Sequence, residues 1–169
     1  AAMRVILTGE DHIDVTVPTS TVERPLLERA WVGARIERLT SLRDHRLVAL
    51  PERPWEEAKL GGGTPPLRVD GGWLVLHHGV AGRIEPGRVD HQPAVRYTAG
   101  AMVLDPEDVT RVLARSAEPL LEPEEPGERE GVVPNVVFPT AIDPIGEAEA
   151  DVYYGMADAR IGAFRLPGC

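Results

Sequence analysis

The sequence predicts an all-β fold, and three observations carry that reading. Apolar residues come in short runs at fairly regular intervals along the 169 residues, several of them alternating or enriched in β-branched and aromatic types. Gly, Pro or Asp bounds most of the runs, and the 17 glycines and 16 prolines are spread along the chain. Long helical periodicity is scarce. With 43% hydrophobic residues the chain can bury a real core, and its length suits a single domain over residues 1–169.

Taken in order, the strand candidates begin with "RVIL" (4–7), "IDVTV" (13–17), "RLVAL" (46–50) and "GWLVLHHGV" (72–80). "VRYTAGAMVL" (95–104), "VVPNVVF" (132–138), "DVYYG" (151–155) and "RIGAF" (160–164) complete the set. Two stretches read as helix candidates. "DPEDVTRVLARS" (105–116) has Asp105 as N-cap and Pro106 in the first turn, although the pattern suits a single turn between strands equally well. "TVERPLLERAW" (21–31) is restricted by Pro25. The proline-punctuated, acidic "EPLLEPEEPGEREG" (118–131) reads as a surface loop. No repeat stands out in the sequence, and sandwich, barrel and propeller all remain compatible with such strands.

Charge narrows the partners. A formal net charge of −9 argues against a nucleic-acid binder, since a phosphate backbone needs a basic face. A local basic pocket for a small anion is still compatible with it. The one cysteine, Cys169, allows no internal disulfide and fits a cytoplasmic location. No apolar run is long enough to span a bilayer, so no membrane partner is expected. The opening Ala-Ala-Met reads as a remnant before a natural Met3.

The stretch "WEEAKLGGGTPPLRVDGGWLVLHHGV" (55–80) concentrates the chemistry. Gly61–Gly63 are no phosphate loop of the nucleotide-binding kind, because Lys59 precedes them and Thr64-Pro65-Pro66 follows where a helix would have to start. They read as a loop permitting positive φ or close backbone approach. His77 and His78 are adjacent on a strand and point to opposite faces, so they cannot readily share a metal; His78 ends a Leu74-Leu76-His78 face. No metal and no cofactor is expected. Asp158, after the aromatic "VYYGMA", sits where an acid often borders a cavity or caps a turn.

In order along the chain, these pieces resemble glycoside hydrolase family 130, the mannoside phosphorylases and related β-mannosidases. The resemblance rests on "WEEAKLGGGTPPLRVDGGWLVLHHGV", on "VRYTAGAMVLDPEDVTRVLARSAEPLLEPEEPGEREGVVPNVVFPT" and on "DVYYGMADARIGAF", and covers about residues 45–165. His77 stands where the family usually has Tyr, and Met156 where it has Ala. The resemblance implies a five-bladed β-propeller, only part of it in this chain, with residues 1–45 poorly matched and 46–169 forming family-like blades.

It also implies a glycoside phosphorylase, in which inorganic phosphate, a co-substrate rather than a cofactor, attacks a β-mannoside with inversion to give a sugar 1-phosphate. That departs from the usual two-carboxylate scheme. The alternatives are a hydrolase of the same family and a non-catalytic carbohydrate-binding partial propeller. Lys59 and His78 match the family's phosphate-binding positions, Tyr97 adds a hydroxyl, and Asp158 matches an acid that grips substrate hydroxyls. The expected partners are an oligosaccharide and phosphate, with room for a homo-oligomer. The general acid is left unassigned: Asp11 in "GEDHID" (9–14) is the nearest acid, but His12-Ile13 replace the expected Pro-Arg.

Overall fold

The computed structural model describes residues 3–6, 45–84, 94–146 and 148–168, with the backbone alone at residues 3–6 and 45. The strand candidate at 13–17, the helix candidate at 21–31 and Asp11 lie outside the described residues. The chain divides into two compact units, Leu47–Cys169 with Ala1–Arg4, and Val5–Arg46. Two short strands come first, β1 (Met3–Ile6) and β2 (His45–Ala49). All that follows belongs to the larger unit.

Among its described residues that unit is built of strands, with one 3-10 turn (Pro54–Glu56) and one helical turn, α1 (Pro126–Arg129). Its first sheet contains β3 (Lys59–Gly62), β4 (Leu67–Val69), β5 (Gly72–Gly82), β6 (Val95–Leu104) and β7 (Val112–Arg115). The order is β3-β5-β6-β7, all antiparallel, with β4 also paired to β5. Strand β5 is central and buried on both faces, which is why its sequence runs apolar rather than alternating cleanly. The second sheet is β8 (Val137–Ile145), β9 (Glu149–Met156) and β10 (Arg160–Pro167), in the order β10-β9-β8.

Leu74 and Leu76 from β5 bury against Val152 from β9, and Leu67, Val69, Val103, Ile142 and Phe164 close around them. The two sheets therefore share one core. Each such aliphatic side chain withdraws surface worth about 1.5–3 kcal/mol from water.

Three sequence expectations need correcting, and one left open is decided. The glycine run is not a loop: Gly61 and Gly62 are in β3, paired with His78 and His77, and none of the three glycines has positive φ. Close approach is the reason at Gly61 and Gly63, where a Cβ would overlap the His78 ring and sit 2.8 Å from the Leu76 carbonyl oxygen, respectively, whereas one on Gly62 would meet nothing within 4 Å. Of the two readings open for 105–116, helix or a turn between strands, the structure has the turn, between β6 and β7; Asp105 caps it by accepting from the Glu107 and Asp108 amides at 2.9 and 3.0 Å. The strand expected at 132–138 begins only at Val137, because Asn135 turns into the left-handed region at φ 59°. The acidic loop is not all surface, since Glu128 is 2% exposed.

Candidate functional site

Strand pairing assembles the first half of the site. Lys59 on β3 faces Val80 on β5, and Val80 faces Tyr97 on β6, so the three side chains share one row of one face. One step along, Gly61, His78 and Ala99 form the next row. The Lys59 ammonium lies 5.4 Å from the centroid of the Tyr97 ring, and His78 stacks 5.8 Å from that ring. Phe138 on β8 covers the imidazole at 4.3 Å. Gly61 is needed because a Cβ there would overlap the His78 ring. Lys59, His78 and Tyr97 are thus brought together.

Their electrostatics fit an anion. Lys59 makes no ion pair with any described residue. His78 Nδ1 lies 3.1 Å from the Gly62 carbonyl oxygen, while the buried Nε2 has no partner among the described residues. Burial, then the Lys59 charge, pushes the His78 pKa down to about 4, so the ring is neutral at pH 7. An ammonium beside a neutral imidazole and a phenol leaves positive charge that no described residue pairs.

Asp158 takes a separate place. It is exposed, in the β9–β10 turn, where the Ala159 amide donates to the Met156 carbonyl at 3.0 Å. Ala157 (φ 48°) and Asp158 (φ 52°) are both left-handed, a two-residue geometry that costs a non-glycine residue strain. Among the described residues no hydrogen bond or ion pair joins Asp158 to Lys59, His78 or Tyr97. A backbone relay links the two places instead. The Ala157 amide donates to the Val136 carbonyl (3.0 Å), Val136 bridges Tyr97, and the Tyr97 amide donates to the Asn135 carbonyl (2.9 Å). The described non-glycine residues with positive φ, Asn135, Ala157 and Asp158, all fall in this junction. Beside it opens a cleft of about 450 Å³ whose lining includes Asn135, Arg96 and Arg129.

His77 points to the opposite face and has a different role. It is fully buried, stacks 5.5 Å from Trp55, and its Nε2 donates to Glu56 Oε1 at 3.1 Å. Glu56 also accepts from Arg115 at 2.6 Å and from the amides of Glu52 and Arg53 at 3.1 Å each. Burial alone would raise the Glu56 pKa, but these donors win and hold it below the usual carboxylate value. Burial keeps His77 low despite Glu56. Among the described residues no group of three or more His, Cys, Asp or Glu could hold a metal ion.

Sequence reasoning missed Phe138 and the Glu56–His77–Arg115 network. Phe138 sat inside a run read as plain core. The network joins residues 21 and 59 positions apart, beyond any local pattern. Asn135 did carry a signal, since Pro-Asn is a turn dipeptide and Asn tolerates the left-handed region.

The family model described as β-1,4-mannooligosaccharide phosphorylase, glycoside hydrolase family 130, matches residues 33–167. A 1,2-β-oligomannan phosphorylase of Thermoanaerobacter sp. (strain X514) is 38% identical over 120 residues, covering 70% of this chain and 36% of the relative. Among solved structures, a β-1,2-mannobiose phosphorylase from Listeria innocua in complex with β-1,2-mannobiose superposes with a TM-score of 0.63 at 31% identity, over 75% of this chain and 33% of that one. A further structure comes from work on glycoside hydrolases of the same family that target β-1,2-mannosidic linkages in Candida mannan. It has a TM-score of 0.59 at 25% identity, over 73% of this chain and 34% of that one. The chain spans about a third of the length of the relatives it matches.

Proposed function

Because this chain belongs to glycoside hydrolase family 130, we propose that its two sheets are blades of a five-bladed propeller carrying the phosphate-binding side of a β-mannoside phosphorylase. The observation that carries the reading is the Lys59 ammonium over Tyr97, without an ion-pair partner among the described residues, beside the buried His78. Phosphate held there attacks the anomeric carbon of a β-mannoside. The C1–O bond to the leaving sugar breaks, the leaving oxygen takes a proton from a general acid, and mannose 1-phosphate forms with inversion. Asp158, fixed in its strained turn, holds sugar hydroxyls as an acceptor. Pre-organised positive charge at the nucleophile's position is the main contribution of these residues. The reading places the protein in the cytoplasm, with an oligosaccharide and phosphate as its partners and no cofactor.

The test is release of sugar 1-phosphate from β-1,2- and β-1,4-mannobiose with and without phosphate. Release only with phosphate is expected, and equal turnover in both conditions would sink the phosphorylase reading in favour of a hydrolase. One observation favours a second reading, a non-catalytic carbohydrate-binding partial propeller completed by another copy or a partner chain: His12-Ile13 follow Asp11 where the family's general-acid motif has Pro-Arg. Mannobiose binding without any turnover, together with a native mass of more than one chain, is the outcome that reading expects.

A further inference from the structure

We propose that His78 selects a phosphate that carries a proton: its Nε2 accepts a hydrogen bond from a P–OH group, so the site takes hydrogenphosphate and rejects sulfate. The inference rests on the phosphate-site reading above and adds to it the direction of one hydrogen bond.

The direction follows from the partner on the other side of the ring. His78 Nδ1 lies 3.1 Å from the Gly62 carbonyl oxygen, which can only accept. Nδ1 therefore carries the proton, and in a neutral imidazole Nε2 is then a lone pair. Strand register enforces this arrangement. Gly61 pairs with His78, and only a residue without Cβ lets the ring lie flat over β3 and reach the next carbonyl. Phe138 closes the opposite side at 4.3 Å, so the ring has little freedom to turn over.

The groups facing the ring keep it neutral. From β3 comes the Lys59 ammonium, from β6 the Tyr97 phenol, from β8 only the apolar Phe138, and along β5 the buried His77. Burial and the Lys59 charge both disfavour the imidazolium. Nε2 is then an acceptor without a partner among the described residues, in a side chain 6% exposed, the kind of group that native proteins supply with a partner. Lys59 and Tyr97 are only partly buried and their side chains hold no hydrogen bond to a described residue, so both can move aside for an anion.

A bare oxyanion would set lone pair against lone pair at Nε2. At neutral pH inorganic phosphate always retains at least one P–OH and sulfate has none, although the two are close in size and shape. Lys59 has three rotatable donors and cannot tell them apart. His78 can. A site built to hydrogen-bond a hydroxyl discriminates strongly against an analogue lacking it, because its own polar group is left unpaired.

Calorimetric titration of the chain with inorganic phosphate and with sulfate, at pH 7 and equal ionic strength, tests this. Phosphate is expected to bind at least about tenfold more tightly. In His78→Gln, whose amide NH₂ can donate, the ratio is expected to fall to within about twofold as sulfate binding rises. The ¹⁵N spectrum of the His78 imidazole should show the proton on Nδ1 with phosphate bound. Equal affinities in the unsubstituted chain, or a proton on Nε2, would overturn the proposal while the phosphate site stands. Failure of both anions to bind would remove the phosphate site along with it.

Discussion

Lys59 is half-buried and makes no ion pair with a described residue, so its removal should cost the fold little and the anion much. Lys59→Met is expected to weaken phosphate binding about ten- to hundredfold, the worth of one charged hydrogen-bonding group. Calorimetry checks the affinity, and an unchanged urea midpoint shows that the fold persists. The glycine run offers a matched pair of substitutions. A Cβ on Gly61 overlaps the His78 ring, whereas one on Gly62 meets nothing within 4 Å. Gly61→Ala should destabilise by about 1–3 kcal/mol and disturb phosphate binding, while Gly62→Ala should do neither. Urea unfolding of both variants decides; similar costs at the two positions would mean that His78 does not pack as described. Three adjacent identical letters thus have three different surroundings. Nothing in their sequence distinguishes them, because their difference comes from the strand across the sheet.

At the scale of elements, the two sheets open with the same device. Glu52-Arg53-Pro54-Trp55-Glu56 and Glu124-Glu125-Pro126-Gly127-Glu128 both place Pro at the start of a one-turn helix and Glu at its third position. Each buried carboxylate accepts from the two amides before the turn: Glu56 from Glu52 and Arg53, Glu128 from Glu124 and Glu125. Its other oxygen reaches the following sheet, at His77 for Glu56 and at the Tyr154 hydroxyl (2.7 Å) for Glu128. Burial, reinforced by the Glu128 bond, raises the Tyr154 pKa to about 12, which keeps the phenol a donor. The short Glu-x-Pro-x-Glu repeat was present in the sequence but hidden among many surface carboxylates. Among the described residues, only burial singles out two acids, Glu56 and Glu128. Tyr154→Phe should cost about 1–3 kcal/mol by leaving a buried carboxylate oxygen short of a donor. Glu128→Ala should cost more, since two amides and a hydroxyl lose their acceptor. A change below about 0.5 kcal/mol in chemical denaturation of either variant would refute the latch.

At the scale of the whole molecule, the buried histidines set how stability responds to pH. His78 falls from its ordinary 6.5 to about 4 on folding, and His77 also falls. The unfolded chain therefore binds more protons than the folded one in that window. Stability is fully present above pH 6.5 and is lost as pH drops towards 4, by on the order of 3 kcal/mol for His78 alone. Glu56 and Glu128, both lowered, hold stability that persists above their unfolded value of 4.5 and is lost below it, so acid sensitivity continues past the histidine window. Urea unfolding between pH 4 and pH 7 should show this slope, and His78→Gln should flatten it. A flat profile for the unsubstituted chain would contradict the buried, neutral imidazole.

By itself the sequence determined the class of fold, the strands read at 72–80, 95–104, 151–155 and 160–164, three of which the structure extends to 72–82, 149–156 and 160–167, and the placing of His77 and His78 on opposite faces. Those are local properties: side chains alternate with period two, and Gly, Pro and Asp mark where strands stop. The motifs also pointed to Lys59, His78, Tyr97 and Asp158. Tertiary structure decided the rest. It put Gly61 and Gly62 into a strand, drew Phe138 onto His78, buried Glu128 inside an apparent surface loop, and linked the turn that carries Asp158 to Tyr97 through the Ala157–Val136 backbone bond. Each of these depends on a partner far along the chain, and a residue's neighbours in sequence cannot say which remote group will take its hydrogen bond.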